Sequence, residues 1–429
     1  MKAISESHSG DPVGQPDWLN TRRSRALERS ATFDHPTGRE EAWRYTDVSE
    51  LKAEIFGRPV SPILRLPEST RAHWQRWNDA PAQATLLDGV PVVATLPGEA
   101  KQAGVTLLDL DRAAVQQPEL LRTHLGTLVG ADDLFTAQSL ALYQGGLLLH
   151  VPRGTRLAEP LRLQHWIAAA GRLICSRVVV VVDADAEVTI CEDLAGDELG
   201  APSLFIPVVE IFVGAGSRVT WQNWQQLGAA TRHLAHVAAR LDRDAHITTF
   251  HATFGADFSR TNLTVEHAGE GATSTLLSAY FPSGEQHQEH WTVQDLKAPH
   301  AHSELLYKGA VSDAGHAVYY GTIRVGNRAR ATDSYQTNRN LLLSETARAD
   351  SNPQLEIETN DVRCSHGSSA GPVNQEQLFY ALARGIPRAE AERMLVLGFL
   401  AEVADRLPGD DARDRLERLV RAKLVQEST

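Results

Sequence analysis

The sequence predicts a mainly β protein, in which a β-solenoid core lies between an N-terminal helical or mixed segment and a small C-terminal helical segment. From about residue 140 to residue 370, short apolar or alternating runs replace helical periodicity. Within this region a polar turn followed by an alternating strand recurs at a nearly constant step, and after Gly371 the pattern returns to a helical period. We therefore expect domains at residues 1–139, 140–372 and 373–429.

The recurring unit is the strongest evidence for a solenoid. Aligned copies of its turn place small residues at steps of 31, 28, 27 and 29 residues, namely at Ala186, Ser217, Ala245, Ala272 and Ala301. Weaker copies follow at shorter steps, at Gly315, Ala329 and Ala347. Such a unit cannot bury its apolar face alone and relies on its neighbours, which is typical of stacked coils. Because alternation does not distinguish parallel from antiparallel pairing, an antiparallel sandwich remains the structural alternative.

The two flanking segments contain helical patterns. In the N-terminal segment we expect one helix from Asp17 and another from Pro118. In the C-terminal segment, Asn374 and Gln377 resemble a capping box, and Gly385 followed by Pro387 ends one helix and begins the next.

The second C-terminal helix is apolar around most of its circumference between residues 394 and 404. A helix of this kind must be covered on more than one side, either by its own domain or by a partner. A third helix, from Asp410, is amphipathic. Three short helices make a small core, which favours a partner.

Composition excludes several classes of protein. The net charge of −12 argues against a protein whose main role is to bind nucleic acid or an anionic membrane. The chain begins without an apolar run, and its longest aliphatic run, residues 178–182, is too short to span a bilayer. With only three cysteines we expect a soluble, cytoplasmic protein in a reducing compartment. No glycine–lysine pair occurs, so this chain should bind no nucleotide through a Walker A loop.

Cys364 and His366 are the residues most suggestive of metal chemistry. They are separated by one residue, which on a β-strand places both side chains on the same face. Thiolate and imidazole both bind iron, zinc or copper, but two ligands do not close a site. Any metal bound here would need further ligands from elsewhere. The alternative is a small buried cysteine beside an exposed histidine at a strand end.

The segment Gly367–Gly371, GSSAG, fits the nucleophile-elbow pattern with Ser369 at its centre. An α/β-hydrolase would require a histidine after the serine, and the last 60 residues contain none. We therefore expect a tight strand-to-helix connection here rather than a catalytic serine.

Two other groups of polar residues are weaker candidates. Four histidines, His287, His290, His300 and His302, could gather on adjacent coils and bind a metal, although most such histidines are solvated surface residues. Three acids, Glu356, Glu358 and Asp361, could serve a carbohydrate-active solenoid enzyme as paired carboxylates. Solvated charges on an outer strand face are the simpler interpretation.

The motifs also resemble a known family. The stretch NPQLEIETNDVRCSHGSSAGPVNQEQLFYALARGIPRAEAERMLVLGFLAEV resembles the C-terminal signature of the SufB/SufD family of iron–sulfur cluster assembly proteins. The stretches DDLFTAQSLALYQGGLLLHVPRGTRLAEPLRL and REEAWRYTD are similar to its strand-entry and N-terminal motifs. DVRCSHG resembles the SufD branch, and residues 341–354 lack the cysteine that SufB is expected to carry there. No cysteine occurs between residues 192 and 363, which favours the same branch.

This resemblance implies a right-handed parallel β-helix flanked by helical domains. It also implies a non-catalytic scaffold that pairs with SufB through the last part of the β-helix and binds the ATPase SufC through its C-terminal helices. A homodimer acting without SufB is an alternative, and the polysaccharide enzyme described above is another. Reduced flavin is implied for the complex as a whole.

The resemblance also assigns site residues. His366, and less directly Cys364, would face SufB and hold a transient iron–sulfur cluster together with ligands from both chains. The SufC-binding surface would comprise Leu378, Phe379, Leu382, Met394, Leu395, Phe399 and Leu400. In this mechanism SufC dimerisation on ATP binding pulls on the C-terminal helices, the β-helix interface shifts, and His366 becomes available for coordination.

Overall fold

The structure is a computed structural model that describes residues 15–57, 67–77, 83–407 and 411–426. Its α-helices in this part of the chain are α1 Asp17–Ser30, α2 Glu68–Trp77, α3 Gly98–Gln102, α4 Leu110–Gln116, α5 Pro118–His124, α6 Leu134–Leu142, α7 Gln375–Leu382, α8 Arg388–Ala404 and α9 Asp411–Gln426. Short 3₁₀ helices occupy Glu41–Trp43, Val48–Leu51 and Ala53–Ile55. The helices expected from Asp17 and Pro118 are confirmed. The expected start of the last helix, Asp410, lies outside the described residues.

The strands are β1 Ala84–Leu87, β2 Val90–Ala94, β3 Thr106–Asp109, β4 Gly145–Val151, β5 Leu161–Ile167, β6 Leu173–Val182, β7 Glu187–Gly196, β8 Ser203–Val213, β9 Arg218–Gln225, β10 Thr231–Leu241, β11 His246–Thr253, β12 Phe258–His267, β13 Thr273–Tyr280, β14 His287–Leu296, β15 His302–Val311, β16 His316–Val325, β17 Thr332–Leu342, β18 Arg348–Ile357 and β19 Val362–Pro372. They form two sheets. The first sheet has the order β19-β17-β15-β13-β11-β9-β7-β5-β1-β2, and the second has the order β18-β16-β14-β12-β10-β8-β6-β4-β3.

From β4 onward, consecutive strands alternate between the two sheets, and every pairing among them is parallel. The chain therefore winds as stacked coils with one strand in each sheet, which confirms the predicted mainly β fold with a parallel β-helix core and flanking helices. The antiparallel sandwich is wrong, because antiparallel pairing is confined to β1 with β2 and β3 with β4 in the described residues.

The turns explain why small residues recur. A residue with positive φ stands directly before each of the five strong repeat positions, namely Asp185, Gly216, Asp244, Gly271 and His300. The repeat residues themselves are at most 1% exposed, so only a small side chain fits at the corner of the coil. The shorter steps seen later in the sequence arise because Gly315 and Ala347 precede strands of the second sheet, so two columns of turns interleave.

The interior of the solenoid changes in character along its axis. The early coils bury aliphatic side chains such as Val180, Ile190 and Ile211, which form one continuous core. In the last coils, Tyr280 donates a hydrogen bond to Asn340 at 2.7 Å, and the amide of Asn338 donates to the Tyr280 hydroxyl at 2.8 Å. The core therefore becomes polar towards the C-terminal end of the stack.

The last two helices, α8 and α9, pack on the outer face of the first sheet. Val396 and Leu400 of α8 share an apolar cluster with sheet residues that include Phe250 and Leu306 and with residues of α9. The ammonium group of Lys308 on β15, which is 2% exposed, donates to the Phe399 carbonyl oxygen at 3.0 Å. Much of the surplus apolar surface of α8 is thus covered by its own chain.

The N-terminal segment lies across the second sheet. The carboxylate of Glu289 on β14 is fully buried and accepts hydrogen bonds from Thr46 at 2.5 Å and from Trp291 at 2.8 Å. Arg260 stacks between the rings of Trp43 and Trp291 at 4.1 and 4.3 Å. The domain boundaries 1–139, 140–372 and 373–429 remain predictions. Three strands of the first segment nevertheless extend the solenoid sheets: β1 and β2 add to the first sheet, and β3 adds to the second.

Candidate functional site

The solenoid ends in an open coil. Strand β19 pairs with β17, strand β18 pairs with β16, and no strand in the described part of the chain adds to either on its outer side. Most residues of β19 are exposed, in contrast to the nearly continuous burial of β15 two coils earlier. Because an edge strand presents unpaired backbone donors and acceptors, this end of the stack is suited to pairing with another chain.

Cys364 lies on the inner side of this last coil. It stands opposite Ser334 in the parallel register, which in turn stands opposite Ser303. Its side chain packs with Val362 against the apolar cluster that contains Ile323. Partial burial raises the pKa of the Cys364 thiol, and the charge of Asp333 acts in the same direction. The thiol is therefore less ionised than that of a free cysteine, unless a metal displaces its proton.

His366 is two residues further along β19 and stands opposite Gln336. Gln336 is 1% exposed, whereas His366 is exposed. The alternation of a β-strand places Cys364 and His366 on the same strand face, as predicted. His366 thus presents an exposed imidazole, and Cys364 is a half-buried thiol two residues before it on the strand.

The segment Gly367–Gly371 is not a turn. It lies within strand β19, which continues to Pro372 before α7 begins. The expected strand-to-helix connection at this segment is therefore wrong, because pairing with β17 extends along all five residues. Ser369 stands opposite Arg339 in this register and is not raised on an elbow.

The histidine group does not assemble. His290 is buried inside the solenoid, with its ring centroid 4.5 Å from that of Tyr280, whereas the His287 imidazole is hydrogen-bonded to the Glu289 carboxylate at 2.8 Å on the outer face. His300 lies in a turn and His302 belongs to the first sheet. Within the described residues, no three histidine, cysteine or acidic side chains are placed to hold a metal ion. Cys364 and His366 therefore do not form a complete metal site by themselves within the described residues.

The three acids of the enzyme alternative lie on the surface of the last coil. Glu356, Glu358 and Asp361 are all exposed, and Glu356 forms an ion pair of 2.7 Å with Arg324. A glycosidase uses one carboxyl group with a raised pKa in an enclosed cleft. These three carboxylates are exposed to solvent rather than enclosed in a cleft.

The apolar residues predicted to bind SufC fall into two groups. Phe379, Met394 and Leu382 are exposed, with 70%, 51% and 37% of their surfaces accessible. Leu378 and Leu400 are buried, and Leu395 and Phe399 are intermediate. The exposed members therefore lie on the surface of α7 and α8, whereas Leu400 packs in the apolar cluster between α8 and the first sheet.

Sequence reasoning missed several exposed apolar residues. Tyr380 on α7 is 59% exposed, beside Phe379. On the last strands, Tyr335 of β17 and Leu355 and Ile357 of β18 are 42%, 39% and 40% exposed. The signal that could have found them is their position in the last strands before the helical pattern. No helix in the described ranges is long and apolar enough to cross a membrane.

Comparison with known proteins identifies the family. The profile described as "SUF system FeS cluster assembly, SufBD core domain" matches residues 165–399, and that of the "SufBD protein N-terminal region" matches residues 12–163. The iron–sulfur cluster assembly protein SufD of Bacillus subtilis is 26% identical over 99% of this chain and 97% of its own length. A SufBD family protein of Mycobacterium tuberculosis is 29% identical over 92% of this chain and 91% of its own.

A SufBD family protein of Synechocystis is 25% identical over 95% of this chain and 91% of its own length. Together the two profiles span the N-terminal segment, the whole solenoid and most of α8. This coverage agrees with the motifs REEAWRYTD and DVRCSHG, which lie near opposite ends of the chain. The chain therefore belongs to the SufBD family of the SUF iron–sulfur cluster assembly system.

Proposed function

We propose that this chain is a non-catalytic scaffold subunit that pairs with SufB, binds SufC and supplies His366 to a nascent iron–sulfur cluster. The observation that carries the proposal is the open terminal coil, where an exposed His366 stands on an edge strand. The cluster is the cargo of the assembly rather than a resident cofactor. Each part of the proposal has its own support in the residues.

Pairing with SufB is supported by the two edge strands and the apolar residues around them. Edge strands that end a sheet in a soluble protein are normally short, covered or charged. Here β18 and β19 have 10 and 11 residues, and Leu355 and Ile357 are exposed on β18. A partner that continues both sheets would satisfy the free backbone groups and cover these side chains.

The ligand role of His366 is supported by its exposure and by the chemistry of its neighbour. Imidazole and thiolate are both ligands for iron, and two donors from this chain leave room for others from SufB. Cys364 is the secondary ligand in this proposal, because binding it requires a thiol of raised pKa to lose its proton. No residue of this chain is assigned a bond-breaking role.

SufC binding is supported by the exposed apolar surface of α7 and α8. Phe379 and Met394 are exposed, although α8, which carries Met394, packs on the solenoid. The ATPase supplies the nucleotide chemistry for which this chain has no Walker A loop. Lys308 connects α8 to β15, so a displacement of α8 would act on a strand two coils before β19. Reduced flavin is assigned to the complex, without a contact on this chain.

The test is anaerobic co-expression with SufB and SufC, with the wild-type chain and with His366→Asn. We expect both variants to form the complex, and we expect only the wild type to retain the full iron, sulfide and visible absorbance of a cluster. The matched control is His300→Asn, because His300 is also exposed and its positive φ of 58° is tolerated by asparagine. A normal cluster yield in His366→Asn would refute the ligand role.

A chain that fails to bind SufB would refute the pairing instead. In that case, the oligomeric state of the isolated chain would test the homodimer alternative. Polysaccharide hydrolysis that is lost in Glu356→Gln would favour the enzyme alternative.

A further inference from the structure

A second polar site lies far from the terminal coil, in the N-terminal region. A groove of about 660 Å³ runs between α1 on one side and α5, α6 and the intervening loop on the other. Four arginines line it, Arg22, Arg25 and Arg29 from α1 and Arg122 from α5. Its lining contains no acidic residue. The volume falls within the range of small-molecule sites, about 300–1,000 Å³.

The arginines of this groove form no direct ion pair within the described part of the chain. Among the residues that the structure describes, none of the four guanidinium groups lies within 4.0 Å of a carboxylate. The chain as a whole carries a net charge of −12, so this cluster of four arginines is opposite in sign to the net charge of the protein. A local excess of one sign in a concave site attracts a ligand of the opposite sign.

Two of the arginines are held close together. Arg22 donates hydrogen bonds to the carbonyl oxygens of Leu125 and of Arg122, and its guanidinium group stacks 5.2 Å from the ring centroid of Trp18. Burial lowers the pKa of Arg22, and the charge of Arg122 also lowers it, against the opposing effect of Glu210 and Tyr143. An anion between the two cations would relieve this repulsion. The hydrogen bonds and the stacking of Arg22 therefore fix its positive charge in position before a ligand binds.

The remaining lining is mostly apolar or aromatic. Ala26, Ala131 and Leu140 form its apolar part, Trp18 contributes a ring, and Thr21 contributes one hydroxyl group. Guanidinium groups match the oxygens of a phosphate, while an apolar lining suits an organic body attached to it. We propose that this groove binds a small phosphate ester with an aromatic or aliphatic group. This site is independent of the scaffold function proposed above.

The experiment is calorimetric titration of the full chain with phenyl phosphate and with inorganic phosphate. We expect saturable binding of one phenyl phosphate per chain, at least about fivefold tighter than inorganic phosphate because of the apolar lining. In Arg25→Gln with Arg29→Gln the affinity should fall at least about tenfold. Both side chains are exposed, so folding should be unaffected.

The matched control is Arg218→Gln with Arg328→Gln, which removes the same charge from two exposed arginines elsewhere on the solenoid. This control should bind phenyl phosphate as the wild type does. A second variant, Ala131→Trp, keeps all four arginines and should abolish the preference for phenyl phosphate over inorganic phosphate.

Three results would overturn the proposal. The first is the absence of saturable binding to the wild type, and the second is an equal loss of affinity in the control. The third is a hexaglutamate peptide that binds the groove more tightly than phenyl phosphate, because the groove would then be a docking surface for an acidic protein segment.

Discussion

His366 on β19 stands opposite Gln336 on β17, yet Gln336 is 1% exposed and His366 is exposed. The two residues occupy equivalent places in consecutive coils of the first sheet. The difference between them arises because another coil covers Gln336, whereas no described strand covers His366. The same strand position is therefore interior in one coil and a candidate interface in the next.

The first prediction distinguishes an exposed residue of the C-terminal helices from a buried one. Phe379→Asp should abolish binding of SufC and leave the melting temperature unchanged, because Phe379 is 70% exposed. Leu400→Asp should lower the free energy of unfolding by more than about 3 kcal/mol, since it places a charge in a fully buried apolar cluster. Pull-down with SufC and thermal melting measure the two effects. Strong SufC binding by Phe379→Asp would contradict the assignment.

The second prediction concerns the terminal coil. Ile357→Lys should prevent co-purification with SufB, because a lysine at an edge strand opposes the addition of another strand. The isolated chain should keep its free energy of unfolding to within ~0.5 kcal/mol. The control is Val425→Lys on α9, where the replaced side chain is 55% exposed and lies outside the proposed interface. Equal SufB binding by both variants would exclude β18 from the interface.

The third prediction concerns thiol accessibility. In the folded, metal-free chain, only Cys364 should react with a thiol reagent such as 5,5′-dithiobis(2-nitrobenzoate) at pH 7.5. Burial raises the pKa of Cys175 to about 12 and that of Cys191 to about 11, and both side chains are buried. Cys364 should react more slowly than glutathione, because partial burial raises its pKa as well. All three thiols should react in denaturant, and a second fast thiol in the folded chain would contradict this.

The fourth prediction concerns the buried carboxylate that holds the N-terminal segment. Burial alone would raise the pKa of Glu289, but the hydrogen bond from His287 and the charge of Arg260 outweigh it and lower the pKa to about 2. Because this pKa lies below that of an unfolded glutamate, the stabilisation is present above about pH 4.5 and is lost as the pH falls towards 2.

Glu289→Ala should therefore lower the free energy of unfolding at pH 7 by about 3–5 kcal/mol, since it leaves Arg260 buried without its partner. Urea denaturation measures this change. Glu285→Ala provides the control, because Glu285 is exposed in the turn before the same strand. A similar loss in both variants would contradict the role of Glu289.

The fifth prediction is a loss of folding stability that begins at a higher pH than the loss caused by Glu289. Burial lowers the pKa of His233 and His290 to about 3 and that of His251 and His267 to about 4. These histidines stay neutral in the folded chain and bind protons when it unfolds. Stability should therefore be complete above about pH 6.5 and should fall as the pH drops, by up to about 1.4 kcal/mol per pH unit for each histidine.

His251→Leu should make the dependence of unfolding free energy on pH shallower by about one proton between pH 6 and pH 4.5. Denaturation curves of this variant and of the wild type across this range test the prediction, and an unchanged slope in His251→Leu would contradict it.

Much of the fold could be predicted because the period of the solenoid is visible in the sequence. Ala186 and Ser217 are small because each fills a coil corner, and this local steric demand recurs once per coil. The strand assignment of Gly367–Gly371 was missed because glycine and serine favour turns locally, whereas pairing with β17 decides the outcome. The spacing of the repeats leaves handedness and partner open, and only the resemblance to the family implies them.

At the candidate site, the amino-acid order alone predicts that Cys364 and His366 share a strand face, because alternation is a local property of the backbone. The solenoid repeat, the helical segments that flank it and the family resemblance could likewise be predicted from the sequence. The exposure of His366 beside a buried Gln336, and the division between a core Leu400 and a surface Phe379, emerge only when the chain is folded. The separation of the four histidines also emerges only then. These properties depend on which coil or helix lies next to each residue, and that neighbour is distant in the sequence.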